Sequence, residues 1–485
     1  MKFDSTGRPP VAAAVIAELK AIVGPGSALE GEDDTLPYRK SWRYGFVGRT
    51  PLVLRPTLTR EVSAIVKLCA AHGIAIVPQG GNTGLTFGGN PSPDGTEIVV
   101  STERMTKIRA LDLDSDCITV EAGVVLQTVQ EEAARNGRLF PLSLAAQGSC
   151  RIGGNIATNA GGVQVLRYGN MRQLVLGLEV VLPDGRIWNG LKALRKDNTG
   201  YDLKQLFIGA EGTLGIITAA VLRLFPKPSS SETAWLAVET PADSVRLLHR
   251  LRARLGDQLS AFELIRRQMV DLVLAGVPGH DDPFREPHPW YVLMDVSSQG
   301  APGSLSTPLT EALESAMEEG LVRDAVIAAN QGQAQRLWRM REDMPDAQRA
   351  AGGTIAHDIS VPLSQIAAFI DAADAELAKT LPGVRYCCFG HVGDGNLHYN
   401  VLRPEGTTQA DFMQHYAAIN RIVHDAVIAH GGSISAEHGI GVIRREENYR
   451  YKDPVELDLM HSLKRALDPG NIMNPNKVLR ASLEQ

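Results

Sequence analysis

The sequence predicts an α+β protein that is built from two domains. The chain has 485 residues, which corresponds to about three domains of average size or to two large ones. Hydrophobic residues make up 44% of the chain and charged residues 21%, so a sizeable core can be buried. Helix and strand patterns alternate in the first half, and the pattern changes after PKPSSSE (226–232). We therefore place a domain boundary near residue 228.

The first half combines amphipathic helices with short buried strands. In REVSAIVKLCAAHG, Val62, Ile65 and Val66 fall on one helical face, and Gly73 can end the helix. Asp184-Gly185 is a turn pair that suits a hairpin. We predict helices at 11–23 and 60–73, strands at 74–78, 97–102, 118–123 and 215–228, and a hairpin at 174–188.

The second half has the pattern of another α+β domain, in which strands and helices again take turns. The predicted strands are TAWLAVE, SAFELI, WYVLMDV, DAVIAA and GTIAHDISVP. The predicted helices are 242–255, 307–319, 333–350 and 363–380. Close to the C-terminus, one more helix is stopped by Asp468-Pro469-Gly470, and an extended Pro/Asn segment follows it.

Charge and composition exclude several classes of protein. The net charge of −6 argues against general nucleic-acid binding, which needs a basic field to meet the phosphates. We find no apolar run of the roughly 18 residues needed to cross a bilayer, and MKFDSTGRPP has no secretory signal pattern. The five cysteines are scattered without a C-x-x-C pair. We therefore expect a reduced, cytoplasmic setting. The oligomeric state is not readable, and a homodimer is one option.

Three glycine clusters indicate a ligand site that is lined by backbone. The sequence has neither G-x-G-x-x-G nor G-K-[ST], which excludes the simple dinucleotide and P-loop fingerprints. The clusters are PQGGNTGL (78–85), GSCRIGGNIATNAGG (148–162) and GAEGTLGIIT (209–218). One such cluster alone is more often a surface turn, but here all three lie beside buried strands. In the first cluster, glycines let main-chain N–H groups converge on an anion such as a pyrophosphate.

A histidine cluster indicates a metal and a base. In NLHYNV, alternation turns Asn396, His398 and Asn400 to one face of a strand. His391 precedes the Asp394-Gly395 turn, which can fold it back toward His398, and Glu437-His438 adds a carboxylate and an imidazole. Two His and one Glu with an open position are typical of catalytic zinc, although Mn²⁺, Co²⁺ or Fe²⁺ also suit these ligands. The alternative is that they are core histidines satisfied by hydrogen bonds.

The glycine motifs resemble the FAD-binding domain of the vanillyl-alcohol oxidase family, which has the PCMH-type fold. The match covers about residues 46–227. It implies two α+β subdomains that clasp FAD in a domain at 1–227, an α+β cap domain with an antiparallel sheet at 228–430, and a C-terminal segment at 431–485 that returns to the flavin. Because 78–85 contains no His or Cys, we expect non-covalent FAD; Cys150 is the one residue that could attach it. The implied cofactor residues are Pro78, Gly80, Gly81, Asn82, Thr83, Gly84, Leu85, Gly148, Ser149, Gly153, Gly154, Asn155, Thr158, Asn159, Gly162, Ile217 and Asn474.

The histidine motifs resemble one branch of that family, the D-2-hydroxyglutarate and D-lactate dehydrogenases, through GHVGDGNLH and AEHGIG. The resemblance implies oxidation of a D-2-hydroxy acid, most of all D-2-hydroxyglutarate, by hydride transfer to flavin N5. It implies a metal on His391, His398 and Glu437, with His438 as the base. Substrate residues would be Asn400 and, from WRMRE, Arg341.

Two departures from the branch concern the substrate. The branch usually has Lys where this chain has Ala356, and some relatives have a hydroxyl residue where Pro345 stands. A D-lactate or glycolate dehydrogenase therefore stays an alternative, as does a catalytically silent flavin- or metal-binding subunit for electron transfer. Without a nicotinamide fingerprint, we expect the electron acceptor to be an electron-transfer flavoprotein or a quinone.

Overall fold

The computed structural model of the chain describes residues 7–41 and 45–481. They divide into two compact units. Unit 1 comprises Met1–Gly161, Asn170–Phe225 and Glu437–Gln485, and unit 2 comprises Gly162–Gly169 and Pro226–Ala436. Within the described ranges, no helix combines the length and the apolarity that crossing a membrane requires. The domain ranges expected from the sequence stay predictions beside this division.

The helices are short to medium in length. In chain order they are α1 Ala13–Val23, α2 Glu32–Arg39, α3 Thr59–His72, α4 Leu126–Arg135, α5 Ile152–Ala157, α6 Val165–Tyr168, α7 Met171–Leu174, α8 Pro241–Leu255, α9 Arg267–Gly276, α10 Ser306–Glu318, α11 Gln331–Glu342, α12 Met344–Ala350, α13 Ile366–Thr380, α14 Gln409–Gln414, α15 Tyr416–Ala429, α16 Arg445–Tyr451 and α17 Pro454–Leu467.

The strands range from two-residue pairs to nine-residue central strands. In chain order they are β1 Ala28–Leu29, β2 Val53–Leu54, β3 Ala75–Gln79, β4 Glu97–Ser101, β5 Ile108–Asp112, β6 Cys117–Glu121, β7 Arg138–Leu139, β8 Val175–Val181, β9 Ile187–Gly190, β10 Ile216–Arg223, β11 Phe225–Pro226, β12 Ser230–Val238, β13 Leu259–Arg266, β14 Trp290–Ser298, β15 Asp324–Ile327, β16 Thr354–Ile355, β17 Asp358–Ser360, β18 Arg385–Gly390 and β19 Asn396–Leu402.

Unit 1 contains two main sheets. One has the order β1-β2-β4-β3, in which β4 pairs in parallel with β2 and β3. The other is antiparallel, with the order β5-β6-β10-β8-β9. The apolar face of α3 lies in one core cluster with Ile76 of the first sheet and Val181 of the second. This helix therefore packs against both sheets, and Gly73, with φ of +63°, ends it as expected.

The end of the chain returns to the first sheet of unit 1. Ile76 and Met473 form a parallel bridge beside β3. The N–H of Ile76 donates to Ile472 O at 2.8 Å, and the N–H of Asn474 donates to Ile76 O at 2.8 Å. The first glycine cluster follows directly after β3, so the tail supports the strand that leads into this cluster.

Unit 2 is built on one antiparallel sheet with the order β15-β12-β14-β13-β18-β19-β16, and β17 also pairs with β19. The central strand β14 pairs with β12 and β13 along almost its whole length. Trp235 and Tyr291 are fully buried in its core with Met269 and Met340. The α+β class expected from the sequence is thus confirmed in both units.

Two predicted elements of unit 2 are each divided. The helix expected at 333–350 is two helices, α11 and α12, because Pro345 has no N–H to continue the first one. The strand expected in GTIAHDISVP is the two short strands β16 and β17. The N–H of His357, between them, donates to the Asn400 side chain at 3.0 Å instead of to a strand ladder.

Candidate active site

A cleft in unit 1 lies between the glycine clusters, and its empty space is about 1050 Å³ when the open solvent at its mouth is included. Its walls are mostly backbone and small side chains, as the sequence predicts for a large ligand bound through main-chain groups. The lining residues include Pro78, Gly80, Gly81, Asn82, Thr83, Gly84, Gly153, Gly154, Asn155, Thr158, Ile217 and His438.

The glycines are needed because two loops pack backbone against backbone. A Cβ on Gly81 would overlap Ser149 O and lie 3.1 Å from Cys150 Cα. A Cβ on Gly80 would lie 3.3 Å from Gly154 N, and a Cβ on Gly153 would lie 2.7 Å from Ala122 Cβ. Side chains at Gly80 and Gly81 would therefore push the first two glycine clusters apart, and a side chain at Gly153 would push the start of α5 away from Ala122.

The first glycine cluster offers hydrogen-bond donors to a ligand. The N–H groups of Gly80, Gly81, Asn82 and Gly84 donate to no acceptor among residues 7–41 and 45–481. The Asn82 side chain is fixed by donating to Pro37 O and Lys40 O at 2.9 and 3.0 Å. Backbone donors without partners beside a cleft suit a pyrophosphate, so the residues present fit the cofactor expected from the sequence.

Some expected cofactor residues are not among those that line the cleft. Ser149 lies under Gly81, and Asn159 Oδ1 instead accepts from Arg172 N–H at 2.9 Å. Asn474 supports the cleft wall, because its side chain donates to Gly88 O and Glu211 O at 2.9 and 2.8 Å. Leu85 and Gly148 are not among the lining residues either, and Gly162 belongs to unit 2.

Cys150 is buried, with 2% of its surface exposed, and it does not line the cleft. Burial raises the pKa of its thiol. Its sulfur accepts from Asn155 Nδ2 at 3.6 Å. A buried thiol with a raised pKa is a poor nucleophile, so Cys150 is not suited to attach a flavin covalently.

The loop that carries His438 is anchored to the wall of the same cleft. The Glu211 carboxylate accepts from the N–H groups of Ile440 and Gly441 at 2.8 and 2.9 Å. Thr86 Oγ1 donates to His438 O at 3.3 Å, and Thr86 O accepts from Val442 N at 2.8 Å. Within this unit, His438 Nε2 lies 3.8 Å from Glu437 Oε1.

Each of the two glycines of AEHGIG is required by a different close contact. Gly439 has φ of +79°, and a Cβ there would lie 2.8 Å from Glu211 Oε1. Gly441 has φ of +50°, and a Cβ there would overlap Thr86 O. Both glycines therefore allow the loop to approach Glu211 and Thr86 closely.

Glu211 is an acid with an unusual protonation equilibrium. Burial raises the pKa of its carboxyl to about 7, although the two N–H bonds from Ile440 and Gly441 and the charge of Arg444 act in the opposite direction. Glu211 itself lines the cleft. It was not among the residues expected from the sequence; its one signal was a charged residue between the glycines of the third cluster.

In unit 2, the hairpin of β18 and β19 carries two of the three candidate metal ligands, His391 and His398. The ring centroids of His391 and His398 lie 5.6 Å apart. Asp358 on β17 stands opposite His398 in the ladder, and its Oδ1 lies 3.9 Å from His398 Nδ1. Asn396 Nδ2 donates to the same Asp358 oxygen at 2.9 Å. The sequence interpretation missed Asp358, which is an oxygen donor of the kind that divalent metals accept.

A buried carboxylate connects His391 with Arg341. Glu263 on β13 has no exposed surface. One of its oxygens accepts from Arg341 Nε at 2.6 Å, and the other bonds to His391 Nδ1. Burial alone would raise the pKa of Glu263, but the charges of His391 and Arg341 and their hydrogen bonds lower it to about 2. Glu263 is therefore ionised, and the sequence interpretation missed it as well.

The amide of Asn400 is already engaged on both sides. Its Oδ1 accepts from His357 N–H at 3.0 Å, and its Nδ2 donates to Gln348 Oε1 at 3.0 Å. The neighbouring Ala356 is half-buried. Asn400 therefore bonds to the residue that follows Ala356, and Asn400 and Ala356 are two of the positions that the sequence analysis connected with the substrate.

Comparison with known families matches two long stretches of the chain. The family of FAD linked oxidases, C-terminal domain, matches residues 227–478, and the FAD binding domain family matches residues 50–190. The D-2-hydroxyglutarate dehydrogenase of Arabidopsis thaliana is 38% identical over 96% of this chain and 82% of the relative. That of Bos taurus is 39% identical over 96% and 83%, and that of Stutzerimonas stutzeri is 36% identical over 96% and 99%.

Solved structures share the fold. A p-cresol methylhydroxylase with bound substrate superposes with a TM-score of 0.75 at 19% identity and covers 96% of both chains. An alkyldihydroxyacetonephosphate synthase superposes with a TM-score of 0.71 at 17% identity and covers 98% of this chain and 86% of the other. The PCMH-type fold expected from the sequence is thereby confirmed.

The comparison corrects one expectation. We expected a cytoplasmic setting from the scattered cysteines and the unremarkable start of the chain. The relatives from Arabidopsis thaliana, Bos taurus and Rattus norvegicus are described as mitochondrial, and this contradicts the expectation. Scattered cysteines indicate a reducing compartment. The expectation was wrong because the cytoplasm is not the only such compartment.

Proposed function

Because the chain belongs to the family of FAD-linked oxidases and dehydrogenases that includes the D-2-hydroxyglutarate dehydrogenases, we propose that it oxidises D-2-hydroxyglutarate to 2-oxoglutarate. The chain is an FAD-linked dehydrogenase by family. The observation that best supports the finer proposal is the anchored loop of His438, because His438 is one of the residues that line the glycine-rich cleft.

FAD binds non-covalently in this proposal. The unpartnered N–H groups of Gly80, Gly81 and Gly84 would hold the pyrophosphate, and Gly153 and Asn155 would line the rest of the cofactor. When bound, FAD supplies the acceptor of the substrate hydride at N5. Neither the 78–85 loop nor the buried Cys150 offers a reactive group for a covalent bond.

A divalent metal, zinc or a similar ion, binds to His391, His398 and Glu437 in this proposal. Support comes from the 5.6 Å separation of the two rings and from the carboxylate of Asp358 beside His398. When bound, the metal supplies a Lewis acid that lowers the pKa of the substrate hydroxyl. Within unit 2, Ala436 N donates to Asp358 O at 3.3 Å, and Glu437 follows Ala436 directly in the chain.

His438 acts as the general base in this proposal. It accepts the proton of the C2 hydroxyl, while the C2 hydride leaves for the flavin and the hydroxyl carbon becomes a carbonyl carbon. FAD, when bound, would take up the two electrons of that hydride, and an electron-transfer flavoprotein or a quinone would be the external acceptor. The bonds from Ile440 and Gly441 to Glu211 keep the loop of His438 in place.

Arg341 binds a substrate carboxylate in this proposal, and Asn400 lies near the substrate. A planar guanidinium matches a carboxylate with two parallel hydrogen bonds. A second candidate, oxidation of D-lactate or glycolate, is favoured by one observation. Ala356 provides no cation for a second carboxylate, and a monocarboxylate needs none.

Anaerobic mixing of the purified holoenzyme with D-2-hydroxyglutarate, D-lactate or glycolate tests the proposal. We expect D-2-hydroxyglutarate to bleach the flavin absorbance most rapidly, and we expect 2-oxoglutarate to form in equal amount. His438→Ala should retain FAD and metal and lose about 10²–10⁴-fold in rate, the usual contribution of a general base. A flavin that no 2-hydroxy acid reduces would instead indicate a silent electron-transfer subunit. Faster bleaching by D-lactate would favour the second candidate.

A further inference from the structure

One carboxylate of unit 2 supports two residues that are far apart in the sequence. Glu263 lies in the middle of the sheet on β13, and its side chain is entirely buried. It bonds through one oxygen to Arg341 on α11 and through the other to His391 after β18. Both residues have a role in the proposed function, and Glu263 has none of its own there.

We propose that Glu263 is a positioning residue that fixes His391 as a metal ligand and Arg341 as a carboxylate-binding group at the same time. This inference rests on the proposed function. The Glu263 carboxylate is paired with the Arg341 guanidinium and accepts its hydrogen bond, so in the bond between Glu263 and His391 the imidazole Nδ1 is the donor. The lone pair of the ring then lies on Nε2, which becomes the atom that binds the metal.

Arg341 is fixed from two sides. Its Nε donates to Glu263 at 2.6 Å, and its guanidinium carbon lies 4.5 Å above the centre of the Phe389 ring. The terminal nitrogens Nη1 and Nη2 donate to no residue within the described ranges. One edge of the guanidinium is thereby held by the protein, and the other donors stay available for a substrate carboxylate.

The shared carboxylate couples the two roles. A hydrogen bond from the second ring nitrogen to a carboxylate fixes the orientation and raises the basicity of a metal-binding histidine, and its removal typically weakens metal binding by about 10- to 100-fold. Removal of Glu263 would also leave Arg341 buried without its counter-charge. Loss of this one residue should therefore weaken both metal binding and substrate binding.

The test is Glu263→Gln in the FAD-loaded full chain. We expect the dissociation constant for Zn²⁺, measured by competition with a chromophoric chelator, to rise by about 10- to 100-fold. At saturating Zn²⁺, we expect KM for the 2-hydroxy acid to rise more than kcat falls. The Zn²⁺ measurement needs no substrate, so it stays informative even if the enzyme oxidises another compound. Unchanged Zn²⁺ affinity in a folded variant would overturn the proposal.

Asp295→Asn is the matched control. Asp295 is a half-buried carboxylate on β14, the strand next to β13, and it accepts from Thr233 Oγ1 and Trp338 Nε1 at 2.6 and 2.9 Å. Trp338 lies on α11 like Arg341. This control variant should lose stability without losing affinity for Zn²⁺. An equal loss of Zn²⁺ affinity in both variants would show a general effect of sheet damage and would refute the positioning role.

The wild-type chain provides a test that does not depend on the folding of a variant. In the Zn²⁺-loaded enzyme with ¹⁵N-labelled histidine, long-range proton–nitrogen spectra report which ring nitrogen carries hydrogen. We expect His391, assigned by His391→Gln, to show a protonated Nδ1 and a metal-bound Nε2. A metal-bound Nδ1 or a His391 ring without metal would overturn the proposal.

Discussion

Replacement of Gly441 by alanine should displace His438, the proposed base, and should not prevent FAD from binding in the glycine-rich cleft. Gly441 has φ of +50°, and a Cβ there would overlap Thr86 O and lie 2.7 Å from Thr86 C and Oγ1. To restore ordinary contacts, the loop must move by about 1 Å, and His438 stands three positions earlier in this loop. A displacement of about 1 Å at a catalytic group can cost about 10²-fold in rate.

The expected result is therefore a fall of about 10²-fold in the rate of flavin reduction, with FAD still bound. Gly81 and Gly153, which line the cleft, are not altered. The rate is measured by stopped-flow bleaching under anaerobic conditions, and FAD content is measured from the ratio of flavin to protein absorbance.

Gly431→Ala is the control for backbone strain alone. Gly431 also has a positive φ, +69°, but a Cβ there would meet nothing within 4 Å. A non-glycine residue in the left-handed region costs roughly 1–2 kcal/mol, so both variants should lose stability. Only Gly441→Ala should lose rate. If both variants kept the wild-type rate within about threefold, the placement of His438 by this loop would be refuted.

Three further outcomes test separate parts of the site. EDTA should abolish 2-hydroxy-acid oxidation and leave the flavin spectrum intact, and His398→Ala should behave like the chelated enzyme; full activity without near-stoichiometric metal would contradict this. Ala356→Lys should raise kcat/KM for D-2-hydroxyglutarate at least about tenfold relative to D-lactate, because one charge-assisted hydrogen bond contributes about 1.5–3 kcal/mol; an unchanged preference would show that this position does not contact the second carboxylate. Burial raises the pKa of the Glu211 carboxyl from its ordinary 4.5 to about 7. The protonated carboxyl therefore contributes to the free energy of unfolding of the FAD-free chain. This contribution is complete below about pH 4.5 and is lost as the pH rises through 7. Glu211→Gln should remove this part of the pH dependence in urea unfolding, and equal slopes in both proteins would refute the shift.

Local patterns predicted most of the elements that build the site. Hydrophobic periodicity predicts the helix α3, and a glycine predicts its end at Gly73. Turn residues a few positions apart predict the hairpin of β8 and β9. The steric need for Gly80 and Gly81 is also visible in the sequence, because glycines cluster where two backbones come into contact. The first glycine cluster and the histidine hairpin could therefore be found without a structure.

The divided elements show where local patterns stop being sufficient. Pro345 was visible in the sequence, yet the apolar spacing around it still predicted one continuous helix. The break between β16 and β17 depends on a bond from His357 to the side chain of Asn400, which is 43 positions away. Such a bond competes with the strand ladder only after the sheet has formed.

The sequence by itself determined the α+β class, the glycine-rich cofactor loops and the histidine motifs, because each of them depends on neighbours along the chain. Only the tertiary structure decided the roles of Glu211 and Glu263. Glu211 meets Ile440 across 229 positions, and Glu263 meets His391 across 128 positions. A carboxylate acquires its pKa and its task from the charges and donors packed around it. Those partners converge only on folding, so no local pattern distinguishes these two acids from the solvent-exposed ones.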